Sequence, residues 1–317
     1  MNAFIQSIIS GVAVGAIYAL VAIGYNIIFS TTRILNLAQG EFVAIGALTS
    51  YQLEEKLKWP LPLVILATIV VLMVAGLLVE KLVMIPTRLA GASFGWIIST
   101  LAAAIVIRNF LALPFLPFGS DSHAPQPLIP GIVNLGSIGT SWQNIVVVVF
   151  ALLLVIGLEL FMNRTFTGKA IQATSNNGPV ASTLGINVGR MISFSFVLSA
   201  VITGLAGVLI GPLTGADANM GIDLGAKGFV AAVVGGMGSA RGAVLGGFLI
   251  GLLQSLTGWF FGNVINLSSG SASYANIAVY VVLAIVLLAN PNGLAAFKTS
   301  FGLKKPNPPP VAAVSND

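Results

Sequence analysis

The sequence predicts an all-α, polytopic membrane protein with about 8–9 transmembrane or re-entrant helices. Three observations carry this. Of 317 residues, 56% are hydrophobic and only 7% charged, against about 25% charged in a soluble globular domain. Fourteen Lys/Arg and nine Asp/Glu cannot coat a folded body of this size in water, so lipid replaces water around much of it. Apolar stretches recur at 5–30, 37–53, 60–79, 94–116, 142–161, 191–212, 225–240, 242–262 and 274–290, most of them reaching the roughly 17–25 residues a spanning helix needs.

The first stretch lacks a basic leader and runs to about Phe29, longer than a signal-peptide core, so it reads as the first span. Two others are unusual. The stretch 37–53 opens on Asn36, Gln39, Gly40 and Glu41, and 225–240 is Gly-rich around Lys227; either is expected to be broken or re-entrant. The connection 117–141, with Pro117, Pro125, Pro127 and Pro130, is too interrupted for a regular helix and predicts an ordered outer cap or loop. The end, from Lys304-Lys305-Pro306 through Pro308-Pro309-Pro310 to Asp317, has little to bury and predicts a disordered cytoplasmic tail over 304–317. Residues 1–303 then form the membrane domain, with no soluble domain.

Basic residues set the orientation. If every stretch crosses, one set of connections holds Arg33, Lys81, Arg88, Arg164, Lys169, Arg190, Arg241, Lys298, Lys304 and Lys305, and the other only Lys56, Lys58 and Lys227. Ten against three places the 162–190 loop and the C-terminus in the cytoplasm and the N-terminus outside. The net charge of +5 therefore reports topology, not nucleic-acid binding.

The chemistry available is limited. The chain has no cysteine and one histidine, His123, in the Pro-rich connection, which excludes disulfides and leaves almost nothing for a metal site or imidazole catalysis. Gly168-Lys169 is followed by Ala170, with Asn163 where a phosphate-binding loop would need glycine, so ATP has no such cradle here. Gly235-Gly236-Met237-Gly238-Ser239 lacks the dinucleotide spacing. No nucleophile–base pair stands out, and an enzyme is disfavoured. Arg108 lies inside a span and is a functional candidate unless it snorkels to the interface. Glu41 sits where it complements a helix N-terminus. Glu159 reads as interfacial, and Asp217 and Asp223 as solvated in an outward connection.

Gly11-x-x-x-Gly15, Gly207-x-x-x-Gly211, Gly242-x-x-x-Gly246 and Gly247-x-x-x-Gly251 put small residues on single helix faces, which lets helices approach closely in lipid. Packing explains most of these. Glycine and polar groups at 36–46 and 225–238 suggest more, because irregular backbone at membrane depth is tolerated only against protein or water, and broken helices near the midplane are where transporters hold substrate. Asn36, Gln39, Gly40, Glu41, Gly228, Gly235, Gly236 and Gly238 are the candidate path residues. The two segments share a polar start, a glycine and Phe-Val, a weak hint of duplication that coincidence also explains.

The cytoplasmic segment 163–190 is polar yet patterned. Pro179 can start a short helix, Val180, Thr183 and Leu184 share its face, and Gly185 suits its stop. Such a helix wants a partner surface, or else lies on the membrane plane.

Several stretches resemble the LivH-type permeases of branched-chain amino-acid ABC importers. They are Gly15-Ala16-Ile17-Tyr18-Ala19-Leu20-Val21-Ala22-Ile23-Gly24; Leu35-Asn36-Leu37-Ala38-Gln39-Gly40-Glu41-Phe42; Leu184-Gly185-Ile186-Asn187 with Arg190; Val234-Gly235-Gly236-Met237-Gly238-Ser239-x-x-Gly242; and Asn290-Pro291-Asn292-Gly293-Leu294. The resemblance covers nearly the whole chain, in order. It implies an ATP-driven importer of branched-chain or other neutral amino acids, with a second homologous permease subunit, two cytoplasmic ATPase subunits that hydrolyse the ATP, and an external solute-binding protein. It implies no cofactor in this chain and a place in the prokaryotic plasma (inner) membrane. It also makes 163–190 the coupling loop, with Thr167, Gly168, Lys169, Gln172, Ala173, Gly178, Val180, Leu184 and Gly185 as the contact residues. Gln172-Ala173-Thr174-x-x-x-Gly178 is a degenerate form of the family's Glu-Ala-Ala-x-x-x-Gly motif, and Gln39 stands where many members carry His. Urea, short amides or an ATP-independent carrier remain as alternatives. The few ionisable residues in the spans weigh against an ion-coupled carrier.

Overall fold

The computed structural model describes residues 2–86, 95–113, 121–135, 138–267 and 270–289. Arg88, Pro117, Lys298, Lys304, Lys305, the stretch 290–294 and the tail 304–317 lie outside them. In chain order the helices are α1 (Asn2–Thr32), α2 (Glu41–Tyr51), α3 (Leu61–Val79), α4 (Gly95–Leu111), α5 (Trp142–Arg164), α6 (Phe166–Asn176), α7 (Gly178–Thr183), α8 (Val188–Thr214), α9 (Met220–Gly235), α10 (Ala240–Trp259) and α11 (Ser271–Ala289). A tight turn, Leu37–Gly40, precedes α2, and α2, α3 and α10 each run on into a wider turn at Gln52–Lys56, Glu80–Met84 and Phe260–Val264. Among the described residues the protein is all-α apart from one antiparallel hairpin, Ile132–Leu135 with Ile138–Ser141, inside the connection expected to be irregular.

Each of the nine apolar stretches carries a helix. Among the described residues six helices are long and apolar enough to cross a membrane: α1, α3 with its wide turn, α5, α8, α10 with its wide turn, and α11. Burial sorts them. The most apolar windows of α1 and α8 are 67% and 72% buried inside the protein, while those of α5 and α11 are 17% and 11% buried. Thus α1 and α8 form the centre, and α3, α5 and α11 turn Leu66, Val70, Leu153, Ile156, Ile277 and Leu288 outward. Apolar surface of that extent suits lipid and not water.

Glycine sets the closeness of the centre. The predicted Gly11/Gly15 face meets the Gly247/Gly251 face: a Cβ on Gly15 would lie 2.9 Å from the Cα of Phe248, and one on Gly251 would strike the backbone of Gly15. Gly246 packs on Ala231, and Gly207 on Val43. Without a hydrophobic drive between helices in lipid, such backbone-to-backbone contact is what holds them together.

The two unusual stretches both cross, in different ways. Arg33 at the end of α1 donates to the Ser175 carbonyl in the 163–190 loop. At the far end Tyr51 stacks on His123 at 4.4 Å, and His123 forms a bridge with Ala216, just past the C-terminal end of α8. The chain therefore climbs from Arg33 as non-helical backbone, turns at Leu37–Gly40 and completes the crossing as α2. Here the sequence expectation of a broken span holds. The stretch at 225–240 differs from expectation. It is one continuous helix from Met220, and the glycines do not interrupt it, because Gly225, Gly228 and Gly235 lie against Gly40, Val21 and Gly242. That packing outweighs the low helix propensity of glycine.

This also moves two charged residues. Asp223 and Lys227 are not in an outward connection; both lie in α9, which begins before the apolar run because Asp223 in its first turn suits the helix dipole and pairs with Lys227 one turn on, at 2.6 Å. With Lys227 removed from the outer set, the charge asymmetry is sharper. Arg33 meets the loop at Ser175 and Arg241 pairs with Glu159 near the loop end of α5 at 2.7 Å, whereas Lys56 and Lys58 follow α2 at the opposite end.

Candidate translocation path and coupling surface

The path candidates separate into two clusters. At mid-depth, Asn36 caps the turn, its Oδ1 accepting the Ala38 N–H at 3.1 Å. Gln39 Nε2 donates both hydrogens, to Ser199 Oγ at 2.7 Å and to Thr203 Oγ1 at 2.6 Å, and Ser199 passes its own hydrogen to the Gly24 carbonyl at 2.8 Å. An extended segment inside a membrane leaves backbone groups unpaired, and these side chains fasten it to α1 and α8 instead. Gly40 then packs on Gly221 and Gly225, its would-be Cβ 2.8 Å from the Gly225 Cα. Glu41 is buried at 3% exposure, and its Oε2 makes no hydrogen bond among the described residues. The helix that carries Arg108, α4, packs against the Leu37–Gly40 turn of the broken span.

The second cluster is near the end that carries the 163–190 loop. Gly235 lies against Gly242, Gly236 ends α9 with φ +101°, and the Gly238 N–H donates to Asn26 Oδ1 at 3.0 Å. Asn26 Nδ2 in turn donates to the Ser239 carbonyl at 3.0 Å. From Gly225 to Gly235 is about 15 Å along the helix at 1.5 Å per residue. The structure therefore joins Asn36–Glu41 to α9 at Gly221 and Gly225, places Gly228 beside Val21, and sets Gly235, Gly236 and Gly238 apart. A cavity of about 820 Å³ opens beside this second cluster, lined by Asn26, Glu159, Gln172, Ser239 and Arg241 among others.

The loop 163–190 folds as two helices. Thr165 caps α6 through the Gly168 N–H at 3.0 Å, and Asn177 caps α7 through the Val180 N–H at 3.2 Å. Gly168 packs on Phe161 and Met162, and Gln172 Nε2 clips α6 to the Met162 carbonyl at 3.0 Å. Gly168 thus positions the loop and presents nothing outward, while Gln172 is half-buried and also lines the cavity. Val180, Leu184 and Gly185 are exposed, as is Lys169, while Thr167, Ala173 and Gly178 are half-buried. Leu184 is 75% exposed and Val180 51%. Gly185, at φ +83°, supplies the left-handed stop that the sequence predicts.

Sequence reasoning passed over Asn26, Ser199, Thr203 and the chain in which Tyr18 Oη donates to Gln254 at 2.6 Å and Gln254 to Asn276 at 3.0 Å. Their signal is available: each is a polar side chain inside a strongly apolar stretch, where a partner is obligatory.

The fold and these sites define a polytopic helical membrane protein built around one broken and one Gly-faced span. A family model described as "Branched-chain amino acid transport system / permease component" matches residues 7–289, and the chain belongs to that family. The branched-chain amino acid transport permease protein BraD of Pseudomonas aeruginosa is 30% identical over 92% of this chain and 95% of its own length. LivH of Escherichia coli is 29% identical over the same shares. Among solved structures, PsaBC from Streptococcus pneumoniae in complex with Fab matches at TM-score 0.50 and 13% identity, covering 94% of this chain and 96% of that one, a likeness of fold alone.

Proposed function

We propose that this chain is the transmembrane permease subunit of an ATP-driven importer of branched-chain or other neutral amino acids in the prokaryotic plasma membrane. It works with a second homologous permease, two cytoplasmic ATPase subunits and an external solute-binding protein. The relatives, named as branched-chain amino acid permeases along nearly their whole length, do not favour the urea, amide or ATP-independent alternatives. The observation that carries the coupling role is an exposed apolar pair, Val180 and Leu184, on capped helices at the end where the basic residues gather. Neither residue has a use on a free surface, and both suit a groove on an ATPase subunit.

The path runs beside the junction of 36–46 with α9 and leaves past Gly235–Gly238. The close packing at Gly40 and the two hydrogen bonds of Asn26 support a closed state, which opens when ATPase movement pulls α6 and α7. Cysteines at Val180 and Leu184 should crosslink to an ATPase subunit in the assembled importer. Failure of both positions to capture it, in a complex that imports leucine, overturns the coupling assignment.

A further inference from the structure

We infer that the Asp223–Lys227 pair on α9 lines the aqueous path and that Asp223 takes the ammonium group of the passing amino acid. This rests on the importer reading above.

Depth comes first. Gly221 and Gly225, on either side of Asp223 in α9, pack on Gly40. Gly40 lies eleven residues before Tyr51, whose ring stacks on His123 at one end of the protein, about 16 Å along α2 at 1.5 Å per residue. Asp223 therefore lies about half a span inside that end.

Exposure comes second. The Lys227 side chain is 5% exposed, while the Asp223 side chain is 55% exposed. Asn219, Ile222, Asp223 and Ala226 form one stripe of accessible or partly accessible positions, and α9 beyond Phe229 is buried through Gly235. A carboxylate facing hydrocarbon at that depth costs about 2.5–3.5 kcal/mol even by the most lenient scale. Packed under an apolar neighbour it would lose its remaining hydration without a compensating bond. Water is the medium that suits it.

Chemistry comes third. The pair sums to zero charge, so neither a net cation nor a net anion is held there. Asp223 Oδ2 is held by Lys227 Nζ at 2.6 Å, and the exposed side of the carboxylate can accept an N–H from a primary ammonium. Lys227 holds Asp223 in place, and the Tyr18–Gln254–Asn276 chain adds polar surface between α1, α10 and α11. Such a site suits the ammonium end of a zwitterion, for which the carboxylate supplies a charge-assisted acceptor.

The chain has no native cysteine, so Asp223→Cys can be tested in the intact importer reconstituted with its binding protein. Water-soluble methanethiosulfonates should modify it. An anionic reagent should restore leucine uptake and a cationic one should abolish it. Asp223→Asn should cut leucine uptake about tenfold or more, the loss of one charged hydrogen bond, with Asp223→Glu recovering most of it and ATPase stimulation by the binding protein retained. Lack of modification by water-soluble reagents means that a partner subunit covers the stripe, and overturns the inference. So does leucine uptake by Asp223→Asn equal to that of the parent. Absence of amino-acid uptake by the parent complex would instead remove the importer reading itself.

Discussion

Gln39 and Thr203 are joined by a 2.6 Å hydrogen bond from the Gln39 amide to the threonine hydroxyl, at the point where non-helical backbone gives way to α2. The same amide reaches Ser199. Both contacts are fully buried, so nothing else replaces them when one partner is lost. Gln39→Leu should destabilise the permease by about 1–3 kcal/mol, the cost of unsatisfied buried hydroxyls. A double-mutant cycle with Thr203→Val, read from thermal unfolding in detergent, should give a coupling above about 0.5 kcal/mol. Additive losses would mean that the bond does not fasten the segment. Gln39→His, the residue many family members carry here, should be the mildest change.

Gly40 should tolerate nothing larger. Its Cβ would meet the Gly221 carbonyl and lie 2.8 Å from the Gly225 Cα, both backbone atoms that cannot step aside. Gly40→Ala should lower stability by about 1–3 kcal/mol through overpacking, and Gly40→Leu should abolish uptake. Gly157, with open space around its Cβ position, is the control: Gly157→Ala should leave melting temperature and uptake within error. Equal behaviour of Gly40→Ala and Gly157→Ala would show that the α2–α9 contact has room to give.

The helical class and the positions of the nine apolar stretches were legible because apolar run length is a strong local signal. The start of α7 at Pro179 and the glycine stop at Gly185 were legible for the same reason, being set by residues within one turn. The continuity of α9 was not. Its glycines read locally as helix breakers, and their compatibility with helix depends on Val21 and Gly40, which are far away in sequence, and on Gly242, which only the turn after α9 brings back onto Gly235. The pairing of Gln39 with Ser199 and Thr203 fails to show for the same reason: a sequence shows which polar groups need partners, not which partners they find. Asp223 and Lys227 were misplaced because a charged pair at the edge of an apolar run resembles a loop, and only the three-dimensional fold shows it at mid-depth.

Orientation gives a direct test. Ser122 lies next to His123 at the end where Tyr51 and Ala216 meet, and Ser271 opens α11. Ser175 lies at the opposite end, beside Arg33. In whole cells, cysteines at Ser122 and Ser271 should react with an impermeant thiol reagent, and one at Ser175 should react only after permeabilisation. Labelling of Ser175 from outside would reverse the assignment made from the basic residues.

The last prediction concerns Gly185 and Leu184, neighbours with opposite requirements. Gly185 has φ +83° and nothing within 4 Å of its would-be Cβ. A substitution there meets backbone strain and no clash, about 1 kcal/mol or more for a branched side chain. Leu184 is the C-cap of α7 with ordinary φ of −85°, and its side chain is exposed, so Leu184→Asp strains nothing inside this chain. If the loop drives transport through a docking contact, both Leu184→Asp and Gly185→Val should lose uptake, for different reasons. Leu184→Asp should leave the permease's melting temperature unchanged and weaken ATPase co-purification. Gly185→Val should shift the α7–α8 turn, so that ATPase subunits still bind but binding protein no longer stimulates their hydrolysis. Affinity of the binding protein for leucine should be untouched in both. Full uptake by Leu184→Asp would show that this leucine lies on the membrane plane, and that coupling passes through other residues of the loop.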